Sequence, residues 1–393
     1  TDMAETDEST RIVIIGAGVA GLTLGNFLLR NGVDCVVLER RSRPYVEQRQ
    51  RAGTVDSFGA RMFREWCLEE VLVTDADPEV EGGIWIDGQR IPLEFEEDDN
   101  SDAVFIPQQV LVRNLTDAFL NGGGDLRYEV ENLALHDIDG DHPSVTYRGG
   151  AGDTTVIHGD YIAGCDGDRG VSRASIPDGA LTRYAHEYGY AWLTILADVA
   201  AETSGTAIHS RGFAAMIPRG TAASRLYLQV PPTDTLDDWA DERIWQEMDA
   251  RYGESVPRGP IASKQLIPLR SVVYDPMQHG RLYLLGDAAH IVPPMSAKGI
   301  HLALHDAELF ARAAISQIKN NDPTLLAEYS ETALPHIWNY QAFATWITDL
   351  MHNAGDPAYA GEFRKQAARA ELQRQFASSA ANRLFSELTA GVN

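Results

Sequence analysis

The sequence predicts an α/β protein: a Rossmann-like dinucleotide-binding domain, interrupted by an inserted β-sheet domain and followed by a helical C-terminal segment. Three observations predict it. A strand, a glycine-rich turn and a helix open the chain within residues 11–30. From about residue 188 to 230 the chain alternates or runs apolar, as sheet strands do. Beyond Pro323 the pattern is mostly helical.

Each element follows in order. Residues 1–10, TDMAETDEST, are acidic and lack the apolar core of a signal peptide, and read as a disordered tail. RIVIIGAGVAGLTLGNFLLRNGVDCVVLER, residues 11–40, reads as a βαβ unit. Gly16, Gly18 and Gly21 lie directly after IVII. Glycines there let the backbone turn and approach a pyrophosphate, and the following helix N-terminus supplies N–H donors and partial positive charge. Glu39 closes the second strand, where a carboxylate bonds both ribose hydroxyls of an adenosine. An arginine-rich stretch occupies residues 39–53, residues 108–121 read as a helix, and 126–147 and 155–164 read as strands.

A second stretch, YIAGCDGDRGVSR at 161–173, ends a strand in Asp166-Gly167 and begins a helix near Ser172. Alone it is only a helix entrance. Residues 11–180 are assigned to the first part of the nucleotide domain and 181–275 to the β-rich insertion, including a helix over 238–253. Residues 276–322 complete the nucleotide domain. There RLYLLGD ends in Gly286-Asp287, crosses Pro293-Pro294 and opens a helix. Ile300, Ala303, Leu304, Ala307, Ala311, Ala314, Ile315 and Ile318 fall on one face of that helix. Alone, Asp287 simply caps a turn. Residues 323–393 form the helical segment.

Composition bounds the partners. With 33 basic against 57 acidic residues the net charge is -24, which argues against nucleic acid or an anionic membrane as partner. No apolar run reaches the ~20 residues of a membrane span. Cys35, Cys67 and Cys165 form no CxxC and no Cys/His cluster, so no metal site is expected and the pattern suits a reducing cytoplasm.

Glycine fingerprint, then Asp-Gly, then Gly-Asp, in that order, resembles the FAD-dependent aromatic hydroxylases, single-component flavoprotein monooxygenases, and among them the 4-hydroxybenzoate type. RAG at 51–53, YIAGCDG at 161–167, SIP at 175–177, RGF at 211–213, PLRS at 268–271, PMQHGRL at 276–282 and GDAAHIVPP at 286–294 carry the resemblance. It implies FAD held by Gly16, Gly18, Gly21, Glu39, Arg40, Arg49, Arg51, Gln108, Asp166, Gly167, Gly286, Asp287, Lys298, Gly299 and Ile300. It implies Asp287 on the ribityl chain, and the helix near Lys298 aimed at the flavin pyrimidine edge, where its dipole stabilises the reduced form. Pro294 would wall the reacting flavin carbon.

The same resemblance implies NAD(P)H as electron donor, met by Arg41, Tyr45, Arg169 and Arg270. Arg40 and Arg41 suit a 2′-phosphate, which favours NADPH over NADH. The bland reading is an exposed basic turn paired with Glu39 and Glu47. Reduced flavin would then react with O₂, and a flavin hydroperoxide would deliver one oxygen atom to the substrate in a dry pocket.

In the substrate pocket the resemblance breaks. Arg219, Arg225 and Tyr227 match family residues. Ile217 stands for a serine, Thr206 and Thr389 for two relay tyrosines, Val80 for the relay histidine, Met295 for a threonine and His301 for an asparagine. Methionine fits irregular apolar shapes, and Thr206 frees volume. The expectation is a bulky, largely apolar aromatic, such as an indole, a polycyclic phenol or a prenylated aromatic. Arg219, Ile217, Thr206, Tyr227, Met295 and Trp192 are the candidate lining. Pro294, His301 and Arg225 are the candidate catalytic residues, with His301 the one nearby group that titrates. A hydroxylase of small aromatic acids and a reductase without oxygenation are the alternatives. A homodimer is an open expectation.

Overall fold

Four consecutive aliphatic residues, Ile12–Ile15, are wholly buried at the centre of a six-stranded sheet in the computed structural model. It describes residues 5–49, 51, 53–75, 77–78, 80–92, 102–352 and 361–391. The sheet order is Gln278–His279, Leu282–Leu284, Tyr161–Gly164, Ile12–Ile15, Cys35–Leu38, Asp125–Arg127. Every pairing is parallel except the outermost, Gln278–His279 with Leu282–Leu284. Strands of a parallel sheet are buried on both faces, which is why they read as unbroken apolar runs. The crossover helix Val19–Arg30 buries Leu22, Leu24, Phe27 and Leu28.

Register places the functional loops. Ile12 lies opposite Tyr161, and Ile162 opposite Leu282. These three neighbouring parallel strands therefore end at one edge. Their loops are Gly16–Gly21, Asp166-Gly167 and Gly286-Asp287, so stretches over 100 residues apart in sequence meet there. The loops are stitched by backbone bonds: the Cys165 N–H donates to the Ile15 carbonyl at 2.7 Å and the Leu285 N–H to the Gly164 carbonyl at 3.0 Å.

Two sequence expectations are corrected. Glu5–Ser9, read as tail, is a strand paired in parallel with Thr154–His158 in a separate four-stranded sheet. Its sequence has no apolar residue. Backbone pairing holds it, with a 2.7 Å contact of His158 to Asp7 and of Arg127 to Glu8. Glu81–Ile86 and Gln89–Pro92, read as nucleotide domain, belong to the inserted sheet, where Glu81–Ile86 runs parallel to Thr203–Ile208. The helix read over 108–121 has those bounds, Gln108–Asn121.

The inserted sheet has eight strands, of which the neighbours Thr182–Ala197 and Ile261–Asp275 are the longest. Alternation divides its two faces. One face buries Ala191, Leu193, Ile195, Met216, Leu226 and Leu228 against Trp239, Trp245 and Met248 around helix Asp241–Tyr252. The other face packs toward the nucleotide domain in a shared core. Helices Gly299–Asn320 and Tyr329–Met351 lie in that core, and Gly361–Ala377 adds the buried Leu372. Among the described residues no helix is long and apolar enough to cross a membrane.

Candidate active site

The glycines of the first loop divide by what surrounds them. A Cβ on Gly21 would meet the Gly16 carbonyl oxygen at 1.9 Å, and one on Gly16, at φ +104°, the Cys165 oxygen at 2.2 Å. Both are packing glycines. A Cβ on Gly18 would meet nothing within 4 Å. Gly18 is also the N-cap of helix Val19–Arg30, with no side-chain cap and no acid in the first turn. Glu39 faces this loop: its Oε2 accepts from the Ala17 N–H at 3.1 Å and its Oε1 from the Arg41 N–H at 3.2 Å.

The second loop holds an unsatisfied carboxylate. Asp166 Oδ2 accepts the Ser172 N–H at 2.9 Å, while the buried Oδ1 has no hydrogen-bond partner. Burial raises the Asp166 pKa above the ordinary value. Gly167 beside it has φ +76°. At the third loop Asp287 sits in a recess. Water reaches it, yet protein crowds it on most sides, and that desolvation raises its pKa against the pull of His290, Arg51 and Arg49. The Gly286 N–H donates to buried Asp306 at 2.9 Å, and His290 Nε2 lies 2.5 Å from the same oxygen. Burial alone would lower the His290 pKa; the Asp306 carboxylate overrides it and raises the pKa. This His290–Asp306 pair braces the loop from beneath, and sequence reading missed Asp306, hidden on an otherwise apolar helix face.

The arginine-rich stretch lies beside the third loop. Arg51 feels both Arg49 and Asp287, and burial foremost lowers its pKa. The Gln108 N–H donates to the Arg51 carbonyl at 3.1 Å, so Gln108 acts through backbone. Arg40, Arg41, Tyr45, Arg49 and Arg169 are exposed, and the Arg41 guanidinium lies 4.7 Å over the Tyr45 ring. Arg270 is instead ion-paired with Asp168, which Arg173 also contacts at 3.3 Å. Only one terminal nitrogen of Arg270 is engaged by Asp168, and its side chain stays 32% exposed.

Helix Gly299–Asn320 starts with Lys298 as N-cap, again with no side-chain cap and no first-turn acid. A Cβ on Gly299 would meet nothing within 4 Å. Pro294 is exposed and Met295 half-buried at its entrance. Two side chains expected at the cofactor or substrate turn inward. Lys298 Nζ donates to Asp56 Oδ2 and to the Thr389 carbonyl, each at 2.6 Å. His301, 1% exposed, faces Asp56 and His336. Ile300 is buried, and a Cβ on Gly53 would meet its Cδ1 at 3.3 Å, so it offers only backbone. Asp56 was missed in sequence; its signal is a helix N-cap, its Oδ1 accepting the Gly59 N–H at 3.0 Å.

Register gathers the candidate substrate residues. Thr206 lies opposite Ala215, Tyr227 opposite Ala215 and Thr194, Arg225 opposite Ile217, and Trp192 opposite Gln229. With Arg219 two residues beyond Ile217, all share the face toward the nucleotide domain. Ile217 is 39% exposed there. Trp192 is corrected from lining to support: it is 5% exposed, donates to His352 Nε2 at 2.7 Å and stacks on Phe213. Arg219 is half-buried, its pKa lowered by burial first and by Arg225 next.

The sites fit FAD. Open space at Gly18 and Gly299, two uncapped helix N-termini and the unpartnered Asp166 oxygen are what a dinucleotide with a polar ring edge would complete. Comparison with known proteins agrees. Residues 9–344 match a family described as FAD binding domain. The chain is 34% identical over 390 residues to p-hydroxybenzoate hydroxylase of Acinetobacter baylyi, covering 98% of this chain and 95% of that protein. The chain belongs to the FAD-dependent aromatic hydroxylases. Two solved structures share the hydroxylase fold at lower identity. The Diels-Alderase PyrE3 of pyrroindomycin biosynthesis superposes with TM-score 0.79 at 21% identity, covering 98% of this chain and 81% of its own. The p-nitrophenol 4-monooxygenase PnpA from Pseudomonas putida gives 0.77 at 19%, covering 98% and 100%. The flavoprotein is thus a FAD-dependent monooxygenase, a family in which NAD(P)H and O₂ are the usual co-substrates.

Proposed function

We propose that this flavoprotein inserts one oxygen atom of O₂ into an aromatic larger and more apolar than 4-hydroxybenzoate, such as an indole, a polycyclic phenol or a prenylated aromatic, at the expense of NADPH. When bound, FAD carries electrons from the nicotinamide to O₂ and one oxygen atom onto the substrate. The observation that carries the substrate class is Ile217, an aliphatic side chain 39% open on the face that holds Thr206, Tyr227, Arg225 and Arg219. An apolar surface left open inside a recess is where an apolar ring gains most by burial, about 25 cal/mol per Å² covered.

The chain's own residues position and exclude. Gly16, Gly18 and Gly21 with Glu39 seat the adenosine end; Asp166 and Asp287 receive hydroxyls; the Gly299 and Ile300 amides face the ring edge. Pro294 and Met295 wall the reaction space on one side and Ile217 and Tyr227 on the other. Exposed Arg40 and Arg41 offer two guanidinium forks for a 2′-phosphate, which supports NADPH over NADH. The proximity of Arg219 to Arg225 favours a second reading, a small aromatic acid whose carboxylate settles between two cations.

The test is anaerobic reduction of bound FAD by NADPH and by NADH in the presence of 4-hydroxybenzoate, indole carboxylates, polycyclic phenols and prenylated phenols. The expected result is several-fold faster reduction with a bulky apolar member, faster with NADPH, and one labelled atom from labelled O₂ in the product. If 4-hydroxybenzoate accelerates most, the second reading replaces the first. If no compound gains the label, oxygenation is wrong.

A further inference from the structure

Three histidines unused by the reading above meet behind the entrance of helix Gly299–Asn320. His301 and His305 are one turn apart on it, and His336 reaches them from helix Tyr329–Met351. His301 Nε2 and His336 Nε2 are 2.9 Å apart. The His305 and His336 rings stack with centroids 3.7 Å apart at 9°. On its other side His301 Nδ1 lies 2.9 Å from Asp56 Oδ2, off the axis of a straight hydrogen bond. Lys298 Nζ holds that same oxygen at 2.6 Å. Burial falls off outward: Asp56, Lys298 and His301 are closed to water, whereas His336 and His305 are half-buried.

We propose that His336 and His301 form a proton path between solvent and the Asp56–Lys298 pair at this helix N-terminus. The proposal rests on the reading that places the flavin pyrimidine edge there. An Nε2···Nε2 bond needs one bare nitrogen and one protonated nitrogen. The Asp56 carboxylate, 2.9 Å away, favours the proton on His301 Nδ1, so His301 Nε2 is bare and His336 donates its Nε2–H. His336 Nδ1 is then the bare atom at the open end. Every donor points inward. A proton from water binds His336 Nδ1, the His336 Nε2–H crosses to His301 Nε2, and the His301 Nδ1–H passes to Asp56 Oδ2 after a small ring rotation. One proton enters and one is delivered, with no redox change. The tautomers end reversed, set to carry one proton out.

The surroundings favour neutral imidazoles, each with one donor and one acceptor; a cation would have no acceptor and would block the string. Burial foremost lowers the His301 pKa and brings His336 to about 4 and His305 to about 2. The charged or titratable groups facing them are Asp56, Lys298, His290, Asp306 and Tyr340. The Tyr340 ring lies 4.6 Å from His301 and 5.0 Å from His336, and Phe58 4.7 Å from His301, which fixes the ring planes. His305 positions His336 by stacking and transfers nothing.

Two measurements test this on the FAD-loaded protein. After a downward pH jump from a pH at which the flavin ring N–H is ionised, the absorbance change of its reprotonation is followed in the parent, His336→Ala and His305→Phe. His336→Ala is expected to slow it about a hundredfold, the lower end for a positioned proton-transfer group, with an unchanged endpoint and recovery on adding imidazole. His305→Phe keeps the stack and the parent rate. An unchanged rate in His336→Ala, or no recovery with imidazole, overturns the path. Nitrogen NMR of the labelled imidazoles decides independently, also in FAD-free parent protein should His336→Ala not fold. His301 protonated on Nδ1 and His336 on Nε2, with His336 neutral to pH 5, is expected; a cationic His336 there or a His301 protonated on Nε2 overturns it. Should the parent take up no FAD, the cofactor reading fails, while the tautomers still decide the path.

Discussion

His305, His336 and His352 are held neutral by burial, with pKa values of about 2, about 4 and about 3. In the unfolded chain each protonates near 6.5. A depressed histidine pKa means that the unfolded state binds more protons between those values, so stability is present above pH 6.5 and is lost as pH falls toward 4. His290, with a raised pKa, acts in the opposite sense: its stabilisation is full below pH 6.5 and is lost as pH rises through the folded value. We expect urea unfolding to show stability falling by about 1 kcal/mol per pH unit for each mostly buried histidine between pH 6.5 and 5. His305→Phe, which preserves the stack on His336, should flatten the slope by that amount; an unaltered slope refutes neutral burial. Residues of this kind explain what sequence could not show. Gly16 and Glu39 were legible from their spacing around a strand, whereas Asp166 and Asp287 stood out only through the order of the three loops and the family resemblance it carries. Asp56, His305, His336 and Asp306 each read as a helix cap or a helix-face residue, and His301 stands out in sequence only as a candidate beside the flavin, not as the partner of Asp56 and His336. Only the fold brings them within 3 Å or in stacking contact.

Elements were legible where a periodic apolar pattern stood between clear breakers, as in Ile12–Ile15, Val19–Arg30 and Gln108–Asn121. Glu5–Ser9 escaped because backbone pairing, not side-chain pattern, makes it a strand. The fingerprint itself reads as one motif, yet its glycines do two jobs. A methyl on Gly21 would strike the Gly16 carbonyl, and nothing flexible is there to yield. A methyl on Gly18, at φ -90°, enters open space. Gly21→Ala is therefore expected to lower stability by about 2 kcal/mol or more through backbone displacement. Gly18→Ala should leave unfolding within about 0.5 kcal/mol of the parent. Its FAD affinity, by fluorescence titration, should nevertheless fall at least about tenfold, because the methyl occupies the pyrophosphate approach. Equal behaviour of the two variants would contradict this division.

At the scale of the whole molecule the site is a joint. The nucleotide sheet supplies three loops, the inserted sheet one face, and the C-terminal helices the closure. The parallel pairing of Glu81–Ile86 with Thr203–Ile208 could not be read in advance, since both segments look like ordinary strands and only the tertiary fold selects the pair. Closure is tightest at the chain's last described helix, Ser379–Ala390. The Thr389 carbonyl takes the Lys298 ammonium, and a Cβ on Gly391 would lie 2.7 Å from Asp56 Oδ2 and 2.8 Å from His301 Nδ1. This end of the chain thus keeps water from a buried cluster of three ionisable groups directly behind the uncapped helix terminus. Ending the chain before Ser379 removes the seal but none of the three FAD loops. The truncated protein should therefore still take up FAD. Its Lys298 and His301, rehydrated, should regain pKa values closer to ordinary ones, which nitrogen NMR of the histidine reads directly. With water admitted beside the reacting ring, oxygen transfer loses its dry pocket. NADPH consumption is then expected to continue while hydrogen peroxide replaces hydroxylated product, measured as peroxide formed per NADPH consumed. Full coupling in the truncated protein would place the water barrier elsewhere, on the Pro294–Ile217 side of the joint.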